Sequence, residues 1–370
     1  MFDPRIALLA AGAFVSSACS AAPLIDAETS EVLSTRIMAA AEAASVPGLY
    51  VAVTQGDSVI FEHALGVYSP DGSAPFDADT PTRLASATKF LTGLTFLSLQ
   101  EDGAIDLDAP LSSLWSEAPA AWSNIRLWRF LNHTAGLPMI VSRDDFNALS
   151  QEAQLNMEAD ALIELISADP VDFEAGSDWR YQQSGYLVLV RALERFTGKS
   201  WDDHLAQHVI EPSGMQTTRF TRPGIDQAAA YTLEDNVITP HQATYSPALR
   251  SGGGYDTTGA DMTKLFRALS AGEIVELDAL EAEVGRRDRL HRFGRNIDGE
   301  GYGLAMVAQV FGDSWTVGHS GGGGLADIRY APDEEVGIVV LTNRTGGSGV
   351  ASEIADAISE TIFGPAQRLE

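Results

Sequence analysis

The sequence is short of cysteine and of positive charge, and it holds no long hydrophobic run. Its single cysteine is Cys19, so no internal disulfide can form, and a chain trimmed of its N-terminal segment has no thiol for catalysis or metal binding. Lysine and arginine number 24 against 51 aspartates and glutamates, a net charge of −27. Such a surface repels nucleic acid and anionic lipid, which excludes both as partners. The apolar run at residues 6–15 is ten residues long, half of the roughly 20 that an integral membrane span requires. No Lys-Ser or Lys-Thr pair follows the glycines at 321–324, so these do not form a phosphate-cradling loop. No internal repeat or low-complexity tract is present.

With 45% hydrophobic and 20% charged residues over 370 positions, the chain can bury a large core in one large domain or two joined ones. Arg5, the apolar run and the small residues up to Ala22 read as an export leader over residues 1–22, with a periplasmic or secreted destination. Cys19 is a candidate lipid anchor. Residues 16–18 lack the aliphatic side chain expected three positions upstream, however, and cleavage after Ala21 or Ala22 is the plainer expectation.

Beyond the leader, a helix is predicted over residues 26–45, with Thr29 or Ser30 as its cap. Strands 49–55 and 58–64, joined by Gly56-Asp57, read as a hairpin. An apolar helix runs from Ser86 to Gly103; residues of about 105–220 are mostly helical, and 223–254 are rich in loops. Strands return at 314–319, 327–330 and 336–341 before a closing helix near 350–362. Strands at both ends with helices between them predict an α+β fold. Residues 23–85 and 251–370 would build one antiparallel sheet flanked by helices. Residues 86–250 would form an inserted, mainly helical domain, with the active site at the interface.

Two serines compete for the chemistry. Gly318-His319-Ser320-Gly321-Gly322 fits G-x-S-x-G, the nucleophile elbow of an α/β-hydrolase. That fold needs an acid and a histidine after the nucleophile in chain order, and His319 is the last of seven histidines. Parallel βαβ alternation is missing as well, so Ser320 fails as the nucleophile. Ser86-Ala-Thr-Lys89 does better. Serine and lysine three apart at the start of a helix share a face, and both the ammonium and the helix N-terminus favour an ionised serine oxygen. A lysine kept in a chain that otherwise prefers arginine is suggestive, because only lysine gives up its proton when buried. Taken alone, S-x-x-K also arises by chance, as a capping serine and a solvated lysine.

Seven stretches in a fixed order carry a wider resemblance: "LASATKFLTGLTFLSLQEDGAIDLDAPL", "LWRFLNHTAGLP", "AGSDWRYQQSGYLVLV", "IEPSGMQTT", "SGGGYDTTGADM", "GYGLAM" and "VGHSGGGGLADIRYAPDEEVGIVVLTN". Over nearly the whole mature chain the sequence resembles the serine β-lactamase and penicillin-binding-protein superfamily, specifically the class C β-lactamase-like serine hydrolases. Those include DD-peptidases, D-amino-acid amidases and esterases. The resemblance implies a β-lactamase/transpeptidase-like fold, with Ser86 as the acylated nucleophile and Lys89 as its proton-handling partner. Tyr181 falls on the tyrosine of the family's Tyr-x-Asn element, where a phenol near a lysine can have its pKa drawn down from about 10 and relay the serine proton. Gln183 replaces the asparagine and keeps an amide for the substrate on a longer stem. His319-Ser320-Gly321 occupies the place of the family's Lys-Thr-Gly or His-Thr-Gly. His319 would then supply positive or hydrogen-bonding character, Ser320 a hydrogen bond to substrate, and Gly321 room for the substrate against the backbone. The backbone N–H groups of Ser86 and Gly322 would form the oxyanion hole.

Other residues have quieter readings. His133 is expected to tie down a loop and Tyr186 to pack, while Asp102, Asp106 and Asp108 suit turns and caps. His204 and His208, four apart, have zinc-ligand spacing but no evident third ligand, and read as a surface helix face. No metal and no cofactor are expected. The expectation is an exported serine hydrolase acting on a small-molecule or peptide substrate through an acyl-serine intermediate. The substrate would be a D-amino-acid peptide, a β-lactam or a small carboxylic ester. His319 and Gln183 lean it away from a dedicated β-lactamase. The alternative is a non-catalytic, penicillin-binding-like sensor or scaffold, against which an intact Ser86, Lys89 and Tyr181 set argues.

Overall fold

The computed structural model of the chain describes residues 24–69, 72–140, 144–221, 228–235, 237–241, 245–284, 300–346 and 349–367. The expected leader at residues 1–22, Cys19 included, lies outside them. The main sheet is antiparallel, in the order Ala366–Gln367, Met306–Phe311, Ser314–Gly321, Ala326–Ala331, Val336–Thr342, Gly48–Gln55, Ser58–Gly66, with Glu300–Gly303 also pairing to Met306–Phe311. The two ends of the chain meet in its middle, where Val51 lies opposite Val340. The hairpin between Gly48–Gln55 and Ser58–Gly66 turns at Gly56-Asp57 as its sequence predicts, with Gly56 at φ +55°.

Gly48–Gln55 and Val336–Thr342 are buried along nearly their whole length, which is why they read as continuous apolar runs rather than as alternation. Leu49, Val51, Val53, Ile338 and Val340 pack with the helices Ala27–Ala43 and Val350–Phe363. Tyr50, Ala52, Val339 and Leu341 join the larger core on the other face. The first helix begins one turn before the predicted cap: Asp26, not Thr29 or Ser30, accepts the Thr29 N–H at 2.8 Å, a carboxylate satisfying an open amide.

On the second face Thr88–Glu101 runs through the centre of the helical layer, and its first twelve residues are buried. A helix apolar all round belongs inside. Gly93 permits the contact, because a Cβ there would lie 2.4 Å from the Leu304 carbonyl. The middle of the chain is not wholly helical. A three-stranded sheet of Thr82–Arg83, Tyr255–Thr257 and Arg219–Phe220 and a hairpin of Tyr231–Glu234 with Val237–Pro240 are present; strands of two to four residues are too short to show a period. The three-stranded sheet has a consequence for the site. It ties the chain before Ser86 to the chain after Gly252, with the Leu84 N–H donating to the Tyr255 carbonyl at 3.0 Å and the Tyr255 N–H to Thr88 Oγ1 at 3.3 Å.

His204 and His208 depart from their expected surface position. Both are buried, with their rings stacked 6.0 Å apart on one inward face, and a π-turn spans Ala206–Ile210. His204 Nε2 lies 2.8 Å from Thr197 Oγ1 and His208 Nδ1 lies 3.0 Å from Ser98 Oγ. Among the described residues no group of three or more histidine, cysteine or acidic side chains is placed to hold a metal ion.

Candidate active site

Ser86 sits in a single 3-10 turn, Ala85–Ala87, that opens the buried helix. The turn starts from Ala85 at φ +45°, a conformation that costs a residue with a side chain about 1–3 kcal/mol and persists only where its surroundings enforce it. Here the enforcing neighbours are the Thr82–Arg83 strand behind and the buried helix ahead. The Ser86 N–H belongs to a helix's first turn, whose amides have no partner of their own within the helix.

Lys89 follows with no exposed surface. Its Nζ donates to the Gly252 carbonyl at 2.5 Å and lies 4.8 Å and 5.2 Å from the ring centres of Tyr181 and Tyr186. Among the described residues no carboxylate answers the ammonium, and burial pulls its pKa down to about 7. Tyr181 presents a buried hydroxyl without a well-formed hydrogen bond, and Ser86 is the one group that favours its ionised form. Burial outweighs Ser86, so the phenol's pKa is raised rather than drawn down as expected. The phenol is therefore a proton donor and carrier, and the group that titrates near neutrality is Lys89.

His319 takes the second of its two expected characters. Its Nδ1 lies 2.7 Å from the Ser320 carbonyl and so carries the proton, while Nε2 accepts from the Tyr302 hydroxyl at 3.1 Å. Both bonds suit the neutral ring. Burial, with Lys89 nearby, pushes its pKa down to about 3, so His319 supplies hydrogen bonds and no positive charge. His133 is neutral for the same reason, held well below its usual value by burial and then by Lys89 and His319. It ties down a loop as predicted: its Nδ1 accepts the Gln182 N–H at 3.3 Å, and its carbonyl accepts the Arg180 N–H at 3.1 Å. It also does more, since its ring centre lies 4.4 Å from that of Tyr181 and fixes the phenol from behind.

The glycines of the 318–324 stretch differ in their surroundings. A Cβ on Gly321 would lie 2.4 Å from the Leu84 carbonyl, so this glycine admits the protein's own Ser86 turn. A Cβ on Gly322 would meet no atom within 4 Å. Ser320 is half-buried and opposite Asp327 in register.

Gln183 lies across from Gly252, where a Cβ would meet its Oε1 at 1.9 Å and would come within 3.4 Å of the Tyr245 hydroxyl. Gln183 Oε1, the Tyr245 hydroxyl and Ser251 Oγ are all buried without a hydrogen bond. Gly252, Tyr245 and Tyr302 were not singled out in the sequence. The glycine run at 252–254 signals a close backbone approach, but Gly252 is 163 residues from Lys89, and spacing cannot say what approaches it.

With this geometry in place, comparison with known proteins gives a consistent placement. A family model described as Beta-lactamase matches residues 34–362. The chain is 26% identical over 391 aligned positions to Esterase EstB of Burkholderia gladioli, covering 95% of this chain and 97% of that one. It is 23% identical to Penicillin-binding protein 4* of Bacillus subtilis (strain 168), over 85% of this chain and 72% of the relative. Among solved structures, D-amino acid amidase from Ochrobactrum anthropi SV3 complexed with D-phenylalanine superposes with a TM-score of 0.73 at 21% identity, covering 90% and 99% of the two chains. The fold is thus the α+β, β-lactamase/transpeptidase-like one.

Proposed function

The chain belongs to the Beta-lactamase family, and from that premise we propose that it forms an acyl-enzyme on Ser86 and prefers neutral esters or amides to substrates bearing a carboxylate. It is a serine hydrolase of amide or ester bonds. The observation that carries the mechanism is the buried, carboxylate-free seat of Lys89, which keeps the amine poised near neutrality. The neutral amine takes the Ser86 proton as Ser86 Oγ adds to the substrate carbonyl, and the N–H groups of Ser86 and Gly322 hold the resulting oxyanion. Tyr181, protonated and facing Ser86, gives its own proton to the leaving oxygen or nitrogen and recovers one from the Lys89 ammonium, which returns to the neutral amine. Water then repeats the sequence on the acyl-serine, with Lys89 again as base.

The electrostatics support the preference. At the position where the family pattern has lysine, His319 is neutral. Among the described residues no arginine contributes to the ionisation of His133, Tyr181 or His319. A β-lactam or a D-alanyl-D-alanine peptide brings a carboxylate that this site leaves unanswered, and the net charge of −27 repels it on approach. A small carboxylic ester brings none, in keeping with the likeness to an esterase over 95% of the chain. We also infer export, from the leader-like residues 1–22; no helix among the described residues is long and apolar enough to cross a membrane.

The test is a fluorophosphonate probe with peptide mapping, beside a panel of neutral p-nitrophenyl esters, nitrocefin and D-alanyl-D-alanine peptides. The adduct should lie on Ser86, and Ser86→Ala should abolish both labelling and turnover. Equal or faster turnover of the carboxylate-bearing substrates would remove the preference. Failure of every substrate to give a burst would return the chain to a binding role.

A further inference from the structure

Beside the site, beyond Gln183, a cavity of about 220 Å³ is lined by Phe146, Leu155 and Leu249, with Gln154, Gln183 and Tyr245 among its polar neighbours. Its walls come from three segments far apart in the chain: the helices Asp144–Asn147 and Gln151–Asn156, the loop before Ser184–Thr197, and the turn Pro247–Gly252. The walls are held in place. Gln154 Nε2 donates to the Phe146 and Leu149 carbonyls at 3.1 and 3.2 Å, and Ser246 caps the turn by accepting the Ala248 N–H at 3.3 Å.

Resting on the acyl-serine reading above, we propose that this cavity is a substrate subsite for one compact, uncharged apolar group, a phenyl or a short branched chain, attached to the ester or amide being cleaved. Size sets the class. A ligand pocket enclosing a whole drug-sized molecule has about 300–1,000 Å³, whereas an apolar cavity of about 150 Å³ accepts benzene. The space suits one substituent and not a second domain of the substrate. Polarity sets the direction. Gln183 Oε1 and the Tyr245 hydroxyl are buried without hydrogen bonds at the end nearest Lys89 and Tyr181. They can meet the polar ester or amide link while its apolar end passes between Leu155 and Leu249. Among the described residues no charged side chain lines the cavity, so a carboxylate or ammonium would meet no partner among them.

The apolar group can sit on the acyl side or on the alcohol or amine side of the scissile bond, and two substrate series separate these. One varies the acyl group of p-nitrophenyl esters (acetate, butyrate, phenylacetate); the other varies the alcohol of acetate esters (ethyl, isobutyl, benzyl). The wild type should favour the phenyl-bearing member of one series. Leu155→Trp, which fills the cavity from a half-buried position, should lower the kcat/KM ratio of that member to the smallest one at least tenfold. Leu249→Ala, which enlarges the cavity, should shift the optimum to a longer chain. The series in which the profile moves identifies the side. Unchanged profiles in both series and both variants overturn the subsite; should Leu155→Trp fail to fold, Leu249→Ala decides alone. Fluorophosphonate labelling of Ser86 is read in the same samples, so a misplaced nucleophile is told apart from a misplaced subsite.

Discussion

The two faces of the large sheet are covered by similar apolar side chains, yet they treat their buried cations in opposite ways. Under the Val350–Phe363 helix, Arg329 is almost fully buried and completely answered: Asp327 meets it at 2.8 and 3.1 Å, and Asp356 at 2.7 Å. On the other face Lys89 is equally buried with a single carbonyl for company, and Tyr181, Tyr245, Ser251, Gln183 and His133 Nε2 have buried polar atoms with no hydrogen bond. Each such group costs about 1–3 kcal/mol. The first face is arranged for stability. The second withholds partners from the groups that must answer a substrate, and a lysine denied its counter-ion becomes a base at neutral pH.

The largest test of that contrast removes the withheld charge. Lys89→Met and Tyr181→Phe should each lower kcat/KM about 10²–10⁴-fold, the usual range for a positioned acid or base. Lys89→Met should also make the protein more stable. With a folded-state pKa near 7 and an unfolded one near 10.5, the burial penalty is fully present below pH 7 and fades as pH rises towards 10.5. The gain should be on the order of a few kcal/mol at pH 6 and small at pH 10, read by denaturant unfolding at both. Activity should rise with pH through about 7 as Lys89 loses its proton. His319→Gln should leave that limb in place, since His319 is already neutral there; a limb that moves with His319 would place the titrating group on the wrong residue.

The answered face should break the other way. Asp327→Ala leaves Arg329 buried with Asp356 alone, and breaking a buried pair costs about 3–5 kcal/mol. Denaturant midpoints should fall accordingly, while kcat measured well below the unfolding transition stays close to wild type. A large loss of kcat in a fully folded variant would mean that the two faces are not separable in this way.

How far the sequence reveals this division depends on the reach of its signals. Ser86 and Lys89 are legible because three residues on one helix bring them together, and Tyr181 because its motif resembles a known one. The buried middle strands are legible as unbroken apolar runs. What spacing cannot carry is contact across the chain: that Lys89 meets Gly252, that His133 backs Tyr181, or that Gly321 makes room for Leu84. Nor can it carry burial, which through desolvation reverses the expected ionisation of Tyr181 and leaves His319 only the hydrogen-bonding half of its expected role. His204 and His208 do share a face, as their four-residue spacing implies, with rings stacked 6.0 Å apart, but spacing does not say whether that face turns inward or outward.

The smallest effect concerns the serine that most resembles a nucleophile. Ser320 follows His319 on the Ser314–Gly321 strand and lies opposite Asp327 in register, so the pleat assigns it to the sheet face that carries Asp327 and Arg329, away from His319. Near the strand's end it remains half-exposed, and what it can offer a substrate is one hydrogen bond. Losing such a bond costs about 0.5–1.5 kcal/mol, so Ser320→Ala should lower kcat/KM by no more than about tenfold. The variant should still take one fluorophosphonate per chain, on the peptide that holds Ser86. Nucleophilic attack by Ser320 would need a base beside it on its own face, and the basic group on the neighbouring strand there is Arg329, a guanidinium held charged by Asp327 and unable to accept a proton. An adduct on Ser320, or an alanine variant that no longer labels, would therefore overturn the division of the two faces as well as the choice of serine.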